Sequence, residues 1–151
     1  LIAGYALSIA TRENCQVDIG LGVHSGDHEI YPDCRPEFYV EAMNAFRVGN
    51  WDNELVQLKL PYIDGDKFTI LQDCDSNCNK LGLDFDTIFA NTNTSYAPDE
   101  KGRANGKTGS DVERILAFWK LGRRDPVEYV GGWDNALENA LTLEKEWNES
   151  K

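Results

Sequence analysis

The segment Val17-Asp18-Ile19-Gly20-Leu21-Gly22-Val23 carries an apolar residue at every second position and then runs straight into polar chain. That alternation is the pattern of a half-buried strand, so a strand is expected over 16–23. The run that follows, Gly22 to Phe38, packs two His, two Asp, two Glu, one Arg, one Cys and one Tyr into seventeen residues. A second alternating stretch, Leu55-Val56-Gln57-Leu58-Lys59-Leu60, stops at Pro61, which has no N–H to give to a ladder. Helical patterns cover 1–13, 36–48 with Pro36 in the favoured first turn, and 66–80. Strand, loop, helix, strand, helix is the rhythm of a parallel sheet with crossover helices. Loops that leave the carboxyl ends of such strands line the ligand crevice, which makes 22–38 the candidate active site.

The rest of the chain reads as an irregular loop over 91–110, rich in Asn, Thr, Gly and charge, followed by helices at 110–121 and 133–147. At 151 residues nothing demands more than a single domain. In the last helix Trp133, Leu137, Ala140, Leu141 and Trp147 fall near one face, a stripe that reads as internal packing, with a homodimer contact as the alternative. A formal net charge of -11 with scattered Lys and Arg excludes a phosphate backbone as partner. No apolar stretch approaches a bilayer span and no signal peptide opens the chain, so a soluble, cytoplasmic protein without a membrane partner is expected. Cys15, Cys34, Cys74 and Cys78 are too sparse for a disulfide scaffold and read as free thiols.

The block Val23-His24-x-x-Asp27 followed by Tyr31-Pro32-Asp33-Cys34-Arg35-Pro36-Glu37-Phe38 resembles the signature of the 7-cyano-7-deazaguanine synthases of queuosine and 7-deazaguanine biosynthesis. The likeness continues through Leu60-Pro61-Tyr62-Ile63 and Asp66-Lys67 to Val112-Glu113-Arg114 and Ala117-Phe118. It implies a Rossmann-like adenine-nucleotide alpha-hydrolase fold of the PP-loop ATPase type. It also implies a reaction in which ATP, with magnesium, activates 7-carboxy-7-deazaguanine as an acyl adenylate. Ammonia then displaces AMP, and a second ATP drives dehydration to the nitrile.

Within the signature, Arg35 offers a planar fork matched to a carboxylate or phosphate, and is expected to grip the substrate acid or its adenylate. A salt bridge to Asp33 or Glu37 is its structural alternative. Asp33, assigned with Arg35 to the catalytic group, and Glu37 can accept the paired N–H donors of a guanine-like edge. Glu37 would equally serve the helix dipole from the first turn. Tyr31 either stacks on the heterocycle or tethers the loop. His24 and Asp27 are assigned to the nucleotide, Asp27 through magnesium, whereas two His and one Asp on an irregular loop are a weak signal for a protein-bound metal. His28 is read as a surface residue and Cys34 as a packing residue.

Three further patterns are rejected. Gly20 to Gly26 is one residue too long for a dinucleotide fingerprint, Gly102 to Thr108 lacks one intervening residue of a Walker loop, and Cys74-x-x-x-Cys78 has no second pair to complete a zinc site. The resembled family carries structural zinc on one Cys before a Tyr and on a Cys-Gly-x-Cys-x-x-Cys run. The corresponding positions here are Ser95, Asn105, Thr108 and Asp111, so zinc is expected to be absent. The chain opens on Leu1 inside an apolar pattern and holds no Ser-Gly-Gly-x-Asp-Ser pyrophosphate loop. An amino-terminal part is therefore expected to be missing, and residues 1–151 alone are not expected to turn over ATP. Two alternatives stay open: a non-catalytic binding protein or adaptor of the same fold, and an adenylating enzyme with a different acceptor.

Overall fold

A computed structural model of the chain describes residues 1–28 and 31–149. The chain divides into two compact units, Leu1–Asp66 and Lys67–Lys151, each described here by itself. Glu29 and Ile30, within the polar run, lie outside the described residues.

The first unit is α/β. Helix α1 (Ile2–Glu13) presents the small residues Ala6 and Ala10 inward, with Ala3 and Leu7 beside them, and packs on Ile19 and Val56. It ends at Asn14, which adopts a left-handed φ of 49° while Cys15 N–H reaches back to Ala10 O at 3.0 Å. Asn tolerates that conformation better than most residues, which stops the helix there. Strand β1 (Val17–Gly20) pairs in parallel with β2 (Val56–Lys59), in a register that sets Val17 against Val56 and Gly20 against Lys59. The expected strand over 16–23 is therefore shorter. One further bond, Leu21 N–H to Lys59 O, extends the pairing before β2 ends and leaves Gly22 and Val23 without a partner strand among the described residues. Helix α2 (Pro36–Gly49) has Pro36 at its start, Glu37 in its first turn and Arg47 in its last, an order that complements the helix dipole.

The second unit is helical. Helices α3 (Lys67–Leu81), α4 (Phe85–Ala90), α5 (Gly109–Lys120) and α6 (Trp133–Glu149) surround one core. Helix α4 had no counterpart in the sequence reading; Asp84 starts it by accepting from Thr87 N–H at 3.1 Å. Helix α5 is the centre, with Val112, Ile115 and Phe118 wholly buried and Leu116 and Ala117 nearly so. On α6, Trp133, Ala136 and Ala140 are buried and Leu137 and Leu141 pack beside them, whereas Trp147 at the far end is 46% exposed. Gly106 (φ +71°) takes a left-handed conformation that favours glycine, and an added Cβ would lie a tight 3.2 Å from the Ala136 side chain.

A buried ion pair ties this core together. Arg114 donates through Nε and Nη2 to the two oxygens of Asp125 at 2.6 and 2.9 Å, through Nη1 to Thr92 Oγ1, and through Nη2 to Phe89 O. Its guanidinium also lies 5.4 Å from the Phe118 ring centre. Tyr129 donates to Asp125 at 2.7 Å, and Val127 N–H adds another bond. Burial works against the charge of Arg114, but the bonds and charge of Asp125 outweigh it and raise the guanidinium pKa. Burial first, and Asp125 second, push the Tyr129 phenol far up, so it stays a neutral donor. No helix among the described residues is long and apolar enough to cross a membrane.

Removing one member of a buried pair leaves the other charge uncompensated, at about 3–5 kcal/mol. Asp125→Ala should therefore destabilise the second unit by that amount, whereas Tyr129→Phe, which removes a single bond to the same carboxylate, should cost about 1–2 kcal/mol. Urea denaturation of both variants checks the order; equal, small losses would remove Asp125 from the centre of the network.

Candidate functional site

The polar run leaves β1 and is pinned by two bonds from Ser25 in the first unit. Ser25 donates its backbone N–H and its hydroxyl to Gly65 O at 2.9 and 2.6 Å, which ties the loop to the turn after β2. Two short 3-10 turns, Ser25–Asp27 and Pro32–Cys34, then carry the chain into α2.

His24 is buried at 5% exposure, and its ring is engaged by the loop itself. Nδ1 accepts from Gly26 N–H at 3.2 Å, capping the first 3-10 turn. Nε2 lies 3.3 Å from Asp27 Oδ2. A ring nitrogen that accepts a backbone N–H cannot carry the proton, so the hydrogen sits on Nε2 and faces Asp27. His24 thereby orients Asp27.

His28 is half-buried rather than the surface residue that the sequence suggests, and its Nε2 is buried without a hydrogen-bond partner among the described residues. Its carbonyl accepts Arg35 Nε at 2.8 Å. The two salt bridges weighed for Arg35, to Asp33 and to Glu37, are not formed, and no ion pair engages Arg35 among the described residues. The backbone of His28 thus fixes one edge of the guanidinium. Asp33 and Glu37 are exposed, Tyr31 is 39% exposed, and Tyr31 N–H is held by Asp27 O at 2.9 Å.

Cys34 is part of this cluster. Its thiol is pushed up first by burial and then by the nearby Asp27 and Asp33 carboxylates, which disfavours the thiolate a nucleophile would need. Tyr39, passed over in the sequence, lies beside it: burial raises its phenol, and Cys34 and Asp33 add to the rise. The signal for Tyr39 was present, since it stands one helical turn past Arg35. The arrangement is a loop with fixed backbone, an arginine held along one edge, and carboxylates at its rim. The free side of the Arg35 fork can pair with an anion.

The sequence matches the family of queuosine biosynthesis protein QueC over residues 1–122. The chain belongs to the QueC family. It is 46% identical over 109 residues to the 7-cyano-7-deazaguanine synthase of Marinomonas sp. (strain MWYL1), covering 72% of this chain and 44% of that protein. The synthases of Psychromonas ingrahamii and Caldicellulosiruptor saccharolyticus are each 40% identical over 129 residues, 85% of this chain, and cover 51% and 50% of those proteins. The chain spans about half the length of the curated relatives it matches. No solved structure matches it.

The loop that resembles the QueC-type zinc site is closed by hydrogen bonds. Ser95 Oγ donates to Asp111 Oδ2 at 3.0 Å, and Asp111 N–H reaches Thr108 Oγ1 at 3.2 Å, forming a capping box at the start of α5. Ser110 Oγ holds Thr94 O at 2.8 Å, and Asn105 bridges Ala97 O and Lys107 N–H. Two hydroxyls, an amide and one carboxylate are poor zinc donors, and three of the four serve as turn or helix caps. These residues do not fit a zinc ion. Asp111 is fully buried, with Oδ1 unpartnered.

Protein purified without added metal should therefore contain substoichiometric zinc by elemental analysis, and its melting temperature should not respond to a chelator. Thr108→Ala should cost about 1–2 kcal/mol through loss of the N-cap. A stoichiometric ion in this loop, or melting that collapses with chelator, would overturn the assignment.

Proposed function

We propose that the protein acts in 7-deazaguanine synthesis as an ATP-dependent ligase that converts 7-carboxy-7-deazaguanine and ammonia into 7-cyano-7-deazaguanine. The observation that carries this reading is Arg35, held along its Nε edge by His28 O within the Tyr31–Phe38 signature. Membership in the QueC family, and relatives named as synthases of this nitrile, support it.

In this reading a carboxylate oxygen of the acid attacks the α-phosphorus of ATP and pyrophosphate leaves. Ammonia adds to the acyl adenylate, loses a proton and expels AMP, giving the amide. The amide oxygen then attacks the α-phosphorus of a second ATP and pyrophosphate leaves; loss of AMP together with the two amide protons gives the nitrile. Arg35 holds the acid in line and offsets its charge. Asp33 and Glu37 accept the heterocycle's N–H donors, and Tyr31 covers its face. Asp27, oriented by His24, offers the hard oxygen that magnesium on ATP prefers. A PP-loop fold completed by the remaining length of relatives of this kind would hold the pyrophosphate. The poor zinc donors at Ser95, Asn105, Thr108 and Asp111 favour a second reading, in which the pocket is kept for binding, or for adenylation of another acid, without nitrile formation.

With the full-length protein, AMP and pyrophosphate release should require both 7-carboxy-7-deazaguanine and ammonia. Arg35→Ala should weaken binding of the acid by about 2–5 kcal/mol while leaving the carboxamide nearly unchanged, and Arg35→Lys should recover only part. Calorimetric titration reads both ligands. Equal losses for acid and amide would take Arg35 out of the site, and acid-independent AMP release would sink the ligase reading.

A further inference from the structure

The signature loop holds two histidines in opposite states. His24 has both ring nitrogens engaged, Nδ1 by Gly26 N–H and Nε2 by Asp27. His28 has a buried Nε2 that meets no hydrogen-bonding group among the described residues. A buried ring nitrogen in a polar loop is normally paired, so an orphan of this kind needs an explanation, and a ligand atom supplies one.

Three features indicate which ligand. The backbone of His28 is fixed: its N–H reaches Ser25 O at 3.1 Å, its φ and ψ are -63° and -32°, and Ser25 is itself tied to Gly65. The same residue sets Arg35, because its carbonyl takes the Nε of that guanidinium at 2.8 Å and directs the fork. The surroundings are anionic, with Asp27 and Asp33 both acting on Cys34. An anionic ligand entering here needs more than one donor to offset those carboxylates.

We propose that His28 is a binding residue of this site, its Nε2 hydrogen-bonding, beside the guanidinium of Arg35, to an oxyanion of the ligand. The proposal rests on the functional reading above, in which that oxyanion belongs either to the carboxylate of the acid or to the phosphate of its adenylate. His28 then links the pair twice, through its ring to the ligand and through its carbonyl to Arg35. Movement of either group shifts the other.

The test uses the full-length protein and three variants, titrated calorimetrically with 7-carboxy-7-deazaguanine, its carboxamide and AMP, alongside melting curves. His28→Phe keeps an aromatic ring and removes Nε2. His28→Gln places an amide nitrogen near the ε position, and His28→Asn places it near the δ position. His28→Phe should weaken either the acid or AMP about tenfold, the loss expected for one bond to a charged group. His28→Gln should return to within about threefold of the parent, and His28→Asn should resemble Phe. Loss confined to the acid, with the carboxamide unchanged, identifies the carboxylate; loss confined to AMP identifies the phosphate.

A packing role makes the opposite forecast. Phe would then preserve melting temperature and all three affinities, while Gln and Asn would lower the melting temperature alike, and that outcome overturns the proposal. If His28→Phe fails to fold, the comparison of Gln with Asn decides, and equal affinities for the two overturn it. A parent protein that binds neither acid nor AMP refutes the functional reading and this inference with it. A parent that binds them, with variants indifferent to His28, refutes this inference alone.

Discussion

The second unit depends on a charge that would be intolerable without its partner. Arg114 enters the core from α5, and Asp125 meets it from the loop beyond that helix with both oxygens. Thr92 and the Phe89 carbonyl occupy further guanidinium donors, and Tyr129 and Val127 complete the carboxylate. Satisfying every polar atom is what makes such a pair compatible with an interior. It also explains why α5 can be buried on nearly all sides although it carries Asp111, Glu113 and Arg114. Asp111 forms the cap, Arg114 takes Asp125, and Glu113 pairs with Lys67. Charge is placed on this helix only where a fixed partner waits.

The first unit applies a different rule. Its signature loop commits some side chains to backbone groups of the unit and holds others at its rim. His24, Ser25 and the Nε edge of Arg35 hold the loop's shape. Asp33 and Glu37 stand at the rim, and Cys34 is kept as a neutral thiol by burial and by its acidic neighbours. Side chains bonded in advance at His24, Ser25 and Arg35 lower the ordering cost of their part of the site when a ligand arrives.

Much of this was legible in residue order, and the exceptions share a cause. Helices α1, α2, α3, α5 and α6 and both strands follow from periodicity and from punctuation by Pro36 and Pro61. Strand β1 stops earlier than its alternation suggests, because a strand extends only as far as its partner, and β2 ends at Lys59. Helix α4 escaped notice because six residues are too few to show a period, although Asp84 followed by Thr87 carried a capping signal. In the candidate site, the Tyr31 to Phe38 block was evident as a block. The distinction between His24 and His28 was not. Both are histidines on one loop, and which ring nitrogen finds a partner depends on backbone geometry that no local pattern encodes.

The parallel pairing of β1 with β2 also bears on how the chain acquires its shape. Val17 cannot meet Val56 until the whole signature loop and α2 have been brought round between them. No tight turn can nucleate this ladder, so loop-closure entropy is paid before the first interstrand bond repays it. Helix α2 can shorten the wandering segment early, because helices form from contacts between near neighbours. The signature loop would then be among the last parts of the unit to reach its final geometry, since Ser25 is anchored only after the turn at Gly65 has arrived beyond the second strand. The Ser25 anchor is, on this account, a late event in folding, and a nascent chain halted before Gly65 would carry the residues of the candidate site without that anchor.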